Sequence, residues 1–165
     1  MNLIFGNGVI VRDSVASDVD SIAKDMRQSD KNEVWASHRH DPLEAVGISF
    51  HASTLCFTIE CEGKKVGMFG VVPHTLLGQS GNIWLLCTKE FDRCHRKLIR
   101  HSRGFIQYML QHYAELENFV DARNTKSIAW LRFCGAEIGP AIPFGVDGLP
   151  FHRFHFRRKP YALAS

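Results

Sequence analysis

The sequence contains no apolar stretch approaching the ~20 residues that a membrane helix requires, so no membrane span is expected. Its opening, MNLIFGNGVIVRDS, has no cationic region followed by a long apolar run, which argues against a signal peptide. No CxxC occurs among the five cysteines, Cys56, Cys61, Cys87, Cys94 and Cys134, and their number is odd. That usage reads as reduced, mostly buried thiols of a cytosolic protein. There is no internal repeat, no low-complexity tract and no dividing linker, so residues 1–165 read as one domain. The net charge is only +3, too small to imply by itself a nucleic-acid or membrane partner.

What is present suits a packed domain. Apolar residues make up 45% and charged residues 22%, and twelve Phe point to an aromatic-rich core. Positive charge is clustered: Arg93, Arg96, Lys97, Arg100 and Arg103 fall close together, and Arg153, Arg157, Arg158 and Lys159 lie near the end.

Val9–Val11 reads as a short strand. Asp13–Ser14 then offers a helix cap, and Val15, Val19, Ile22, Ala23 and Met26 recur at helical spacing. Lys31 to Phe50 reads as a second helix, with Pro42 suited to a first turn and Leu43, Val46 and Ile48 facing inward. Thr54–Cys61 and Lys65–Val72 form a hairpin around the turn Glu62-Gly63-Lys64. Gly81–Cys87 is a nearly unbroken apolar run, as in a strand covered on both faces. Asp92 is placed to cap a long helix reaching about Tyr113, with Leu98, Ser102, Phe105, Met109 and His112 as its inner stripe. Leu116–Ala122 is a strand, and Asn124–Cys134 is a helix stopped by Gly135. Gly139-Pro140, Pro143 and Gly145–Gly148 read as loops before a last strand, Phe151–Arg157, that ends ahead of Pro160. The expected class is α/β (α+β), a mixed, mostly antiparallel central sheet flanked by helices.

This order resembles the GCN5-related N-acetyltransferase (GNAT) fold. The hairpin carries Val66-Gly67-Met68, similar to the family's apolar-Gly-apolar strand start. Asn124 followed by an apolar helix and Gly135-Ala136 matches a second family spacing. A narrower stretch, Trp84 to Ala136, is similar to the internal virion protein A family of short-tailed bacteriophages. The likeness runs through Thr88, the basic run Arg93-Cys-His-Arg96-Lys97-Leu98-Ile99, a Tyr near the helix end, and Asn124-Thr125 to Ala136.

The GNAT resemblance implies a coenzyme A site, with a glycine-rich turn whose backbone N–H groups hold the pyrophosphate. Aligned on Leu98-Ile99, Arg93 and His95 stand at the two glycine positions, and no glycine occurs between Asn82 and Gly104. Side chains there obstruct the close approach that glycine permits. An Asp92 cap would occupy the helix N–H groups and repel phosphate. Arg93, Arg96 and Lys97 are the candidates to replace backbone contacts by side chain. Leu86, Cys87 and Thr88 are the candidate backbone for the thioester end, and Asn124 either contacts the cofactor or caps its helix.

Proton-transfer groups are scarce. Ile83–Cys87 contains no acid, leaving Glu60 and Glu62 on the hairpin as substitutes for a general base. The family's helical Tyr, seven positions after the Asn, is Leu131 here. Adjacent Cys94 and His95 point about 100° apart on a helix and do not form a nucleophile–base pair. The His38/His40 and His152/His155 pairs lack a third ligand at recognisable spacing.

These losses, with the narrower resemblance, set the leading expectation. It is a non-catalytic phage or prophage protein with no cofactor and no catalytic residue, acting in virion morphogenesis or early infection. Its partners would be virion or host proteins, and its location the host cytoplasm or the virion. The alternative is a CoA-dependent N-acyltransferase using acetyl-CoA. A third reading is a nucleic-acid-associated protein using the basic helix, with DNA as its partner.

Overall fold

The computed structural model describes the backbone of residues 2–5 and the whole of residues 8–159; Pro160 lies outside the described residues. Eight strands form one sheet in the order β1-β2-β3-β4-β5-β6-β8-β7. β1 (Asn2–Phe5), β2 (Val9–Asp13), β3 (Leu55–Cys61), β4 (Lys64–Pro73) and β5 (Ser80–Cys87) run successively antiparallel. β6 (Glu115–Asp121) is parallel to β5, and β8 (Leu149–Arg157) returns antiparallel between β6 and β7 (Glu137–Phe144).

Alternation along the strands supplies two cores. On one face, α4 (Phe91–His112) and α5 (Thr125–Cys134) cover Val9, Val11, Phe57, Phe69, Val71 and Ile83. Leu98, Ile106, Met109 and Leu110 are the buried apolar stripe of α4 there. On the other face, α1 (Ala16–Lys24) and α3 (Pro42–Ala52) bury Val19, Ile22, Ala45 and Val46 with Met68 and Leu86 of the sheet.

The hairpin of β3 and β4 has the expected turn, with Glu62 and Gly63 both at positive φ (51° and 78°), the pairing of a two-residue hairpin loop. Asn124 caps α5 by accepting the Ser127 N–H at 3.2 Å, and Gly135 ends it at φ 93°.

Several expectations are corrected. Lys31–Phe50 is not one helix: α2 (Gln28–His38) stops where Arg39 turns left-handed, and Asp41 with Glu44 forms a capping box that starts α3 at Pro42. Val46 is buried as expected, whereas Leu43 and Ile48 are exposed. Asp92 does not cap α4; the cap is Glu90, and no side chain bonds the helix N-terminus. The segment read as loops contains β7. Its Pro140 falls where the register with β8 shifts between Ile138 and Ala141, and β7 is an edge strand, so its prolines break no ladder on the outer side. The β7–β8 turn sits tightly on α2: a Cβ on Gly145 (φ +76°) would lie 2.3 Å from the Ala36 carbonyl oxygen. Finally, Cys61 and Cys94 form a disulfide between β3 and α4, against the expectation of reduced thiols, and Cys56, Cys87 and Cys134 remain free.

Candidate functional site

β5 and β6 are hydrogen-bonded over only three residue pairs, Ser80↔Glu115, Gly81↔Leu116 and Asn82↔Glu117. Beyond them a side chain replaces the ladder. Asn118 Nδ2 donates to the Ile83 carbonyl at 2.8 Å, while its Oδ1 accepts the Phe119 N–H at 2.8 Å. From there the strands part. At the far end of β5 the Cys87 N–H donates to Asp30 Oδ2 at 2.7 Å, and the Cys87 carbonyl accepts the Arg27 N–H at 2.9 Å. Ile83 and Cys87 thus both turn their backbone toward the opening, and Leu85 between them shares that side by strand alternation.

The opening is a cleft of about 940 Å³, at the upper end of ligand-site volumes. Phe91, Asp92 and His95 of α4 and Lys126, Ser127, Trp130 and Leu131 of α5 line it on one face of the sheet. Asp30, Glu33, Ser37 and His38 of α2, with Ile48 and Ser49 of α3, line it on the other. It therefore passes through the sheet between the parted strands.

Two carboxylates of α2 reach it in different states. Asp30, buried, is committed to the Cys87 N–H and to Arg27 Nε at 2.8 Å. Glu33, half-buried, accepts from Asn124 Nδ2 at 3.3 Å. Burial among protein atoms pushes the Glu33 carboxyl up to about 7; the carboxylates of Asp30 and Asp121 add to the rise, against the hydrogen bond from Asn124. Asp121 goes the other way: burial raises it, but Arg123 Nη2 at 2.6 Å outweighs burial and holds it below the usual carboxylate range.

Of the residues read from the sequence as cofactor-binding, Leu86 and Asn124 line the cleft. Cys87 does not line it: Asp30 takes up its N–H and the Arg27 N–H takes up its carbonyl. Thr88 donates its N–H to the Val66 carbonyl at 2.9 Å. Arg93 pairs with Glu90 at 3.2 Å and Lys97 with Glu62 at 3.0 Å, while Arg96 is exposed; none of the three lines the cleft. Glu60 is held by Arg12 at 2.7 Å, also away from it. The disulfide rules out Cys94 as a nucleophile. The described residues contain no cluster able to hold a metal ion and no helix long and apolar enough to cross a membrane.

Sequence reasoning missed Asn118, Lys126, Ser127 and, above all, Glu33. Asn118 left a signal, a polar residue inside an otherwise strand-like run. Glu33 left none, because its partner is 91 residues away.

No family model matches the sequence, and no curated protein matches it. Solved structures do. The ribosomal-protein-S5-alanine acetyltransferase of Vibrio fischeri is 16% identical with a TM-score of 0.68, covering 97% of this chain and 100% of its own. The spermidine N-acetyltransferase of Vibrio cholerae, in complex with CoA and spermine, is 16% identical with a TM-score of 0.64, covering 91% and 95%. A GNAT-family acetyltransferase of Bacillus anthracis is 13% identical with a TM-score of 0.65, covering 95% and 98%. The chain has the GNAT fold. These neighbours, all acetyltransferases, overturn the expectation of a non-catalytic virion protein. None is a virion protein, and the alternative of an acyltransferase is the better supported.

Proposed function

We propose that this protein is a CoA-dependent N-acyltransferase that moves an acetyl group from acetyl-CoA to a primary amine. The observation that carries the reading is the parting of β5 from β6 after Asn82, which opens a cleft through the sheet with strand backbone along its wall. A thioester arm entering from the α4–α5 face would lie along Leu85, whose backbone faces the opening. An amine entering from the α2–α3 face would meet it there. The acetyltransferases of similar fold support the same reading.

The residues fit the arm of the cofactor better than its phosphates. Asp92 brings negative charge to the start of α4, and no glycine turn precedes that helix. Lys126, His95 and Ser127 are the lining groups that would hold a pyrophosphate, together with the N–H groups of α4 that no side chain caps. When bound, acetyl-CoA supplies an activated acyl carbon, and the protein's task is to orient it beside the amine in the cleft.

Titration calorimetry with acetyl-CoA tests this directly. Micromolar binding is expected, weakened about tenfold by Lys126→Ala and little changed by Arg93→Ala. Absence of binding at millimolar acetyl-CoA would overturn the proposal.

A further inference from the structure

Acyl transfer to an amine needs a group that removes a proton, because an alkyl ammonium has no lone pair with which to attack. The titratable side chains lining the cleft are Arg27, Asp30, Glu33, His38, His40, Asp92, His95 and Lys126. Most are occupied or misplaced for that task. Asp30 is bound to Arg27 and to the Cys87 N–H. Asp92 and His95 lie at the start of α4, the phosphate end, where the His95 ring Nδ1 contacts the Asp92 carbonyl at 2.6 Å. His38 and His40 stack on each other with ring centroids 5.5 Å apart, and His38 Nδ1 contacts Ser37 Oγ at 2.9 Å. Glu33 differs from all of these. It stands on the α2 face of the opening, and its carboxylate is held by Asn124 Nδ2 at 3.3 Å, three residues beyond the end of β6, and by the Asp121 backbone.

We propose that Glu33 is the catalytic base that takes the proton from an incoming primary ammonium, with Asn124 positioning its carboxylate; this rests on the acyl-transfer reading above. The carboxylate accepts one proton from the ammonium. The freed amine nitrogen forms the C–N bond to the thioester carbonyl carbon as the C–S bond breaks. The electron pair of that bond leaves on the CoA sulfur, and the nitrogen's second proton passes to the thiolate or to solvent. Leu131 stands where a proton donor would be, and a thiolate leaves without one far more readily than an alkoxide, since its conjugate acid is already a moderate acid. The base therefore need not share the work with a tyrosine. The same carboxylate, facing Asp30 from its own helix and Asp121 from the end of β6, makes the α2 side of the cleft favourable to a cation. Arg27 and Arg123 are each already paired to one of those acids. The environment also sets Glu33 near neutral pH, where a base is half ready and still strong enough to pull a proton.

The test compares wild type, Glu33→Gln, Glu33→Asp and His38→Gln. Acetyl-CoA binding is measured by calorimetry, and thiol release is measured with spermidine, an alanine-terminated peptide and n-butylamine. Where no amine in the set is acetylated, the rate followed is acetyl-CoA hydrolysis, in which the same base would deprotonate water. Glu33→Gln should bind acetyl-CoA as wild type does, which also reports an intact fold. It should lose about a hundredfold or more in kcat/KM, together with the acidic limb of the pH profile near 7. Glu33→Asp should keep that limb at a reduced rate. A Glu33→Gln rate within threefold of wild type, or loss of the limb in His38→Gln instead, would overturn the assignment while leaving acyl transfer standing. Wild type that fails to bind acetyl-CoA would remove acyl transfer itself.

Discussion

Asp30 and Cys87 are far apart in sequence, yet the Asp30 carboxylate accepts the Cys87 N–H at 2.7 Å and so ties α2 to the end of β5. The strand loses its neighbour after Asn82, and a helix carboxylate takes up the backbone donor that a continuing ladder would have satisfied.

Asp30→Ala leaves a buried N–H without a partner and Arg27 without its counter-ion, so it should destabilise the protein by about 2–4 kcal/mol. Chemical denaturation of the two proteins measures it. Asp30→Asn, which keeps an acceptor, should cost less.

Asp18 contributes to the acid response. Its side chain is fully buried, and burial alone would raise its pKa. Hydrogen bonds from Arg12, Lys65, the Val15 N–H and Thr58 outweigh that and hold it well below the usual range. A depressed folded-state pKa contributes stability that is complete above the unfolded value of about 4 and is lost as pH falls below it. Thermal unfolding between pH 7 and pH 2 should show this loss, and Asp18→Asn should start less stable and flatten the profile.

Glu33 has the opposite sign. Its folded-state pKa is raised to about 7, so the folded protein holds a proton that the unfolded chain releases from about pH 4.5 upward. Glu33 therefore lowers stability progressively as pH rises toward 7. Replacing it by Gln should raise stability at pH 8 by up to about 2–3 kcal/mol and change it little at pH 4. Equal effects at both values would show that the carboxyl titrates normally.

The Cys61–Cys94 bridge closes a loop with a sequence separation of 33, for which chain-entropy reasoning gives about 3–4 kcal/mol of stabilisation. Alkylation of the unreduced, denatured protein should label three cysteines, Cys56, Cys87 and Cys134. Reductant should lower the unfolding midpoint of the wild type and leave a Cys61→Ser, Cys94→Ser variant unaffected.

Asp92→Asn should tighten acetyl-CoA binding several-fold at low salt, by removing a negative charge from the end of α4 where phosphate would sit. Calorimetry at two salt concentrations, showing a smaller gain at the higher one, checks that the effect is electrostatic.

The sequence read well where local chemistry decides structure. Glu62-Gly63 sets its own turn, and Asn124 and Gly135 bracket α5 because a cap and a left-handed stop act within one or two residues. β7 was hidden because Pro140 and Pro143 signal loops, while an edge strand with a register shift tolerates both. The break at Arg39 was equally hidden, since nothing local marks a non-glycine residue as left-handed. The cleft was legible only as a possibility. Its opening depends on Asn118 meeting Ile83 and Asp30 meeting Cys87, and the placing of its Glu33 carboxylate on Asn124. All three are contacts between distant parts of the chain.

The sheet order has a consequence for how the molecule is made. β8 lies between β6 and β7, and β6 pairs with it at seven positions from Glu115↔Arg157 to Asp121↔Phe151, against three with β5. During synthesis β6 therefore emerges with little to hold it until the closing hairpin arrives. Nascent chains that stop before Leu149 would present an unpaired strand edge, and with it an aggregation hazard. One wall of the cleft thus comes into being only once β8 has been made, so any ligand could assist folding only after that strand has emerged.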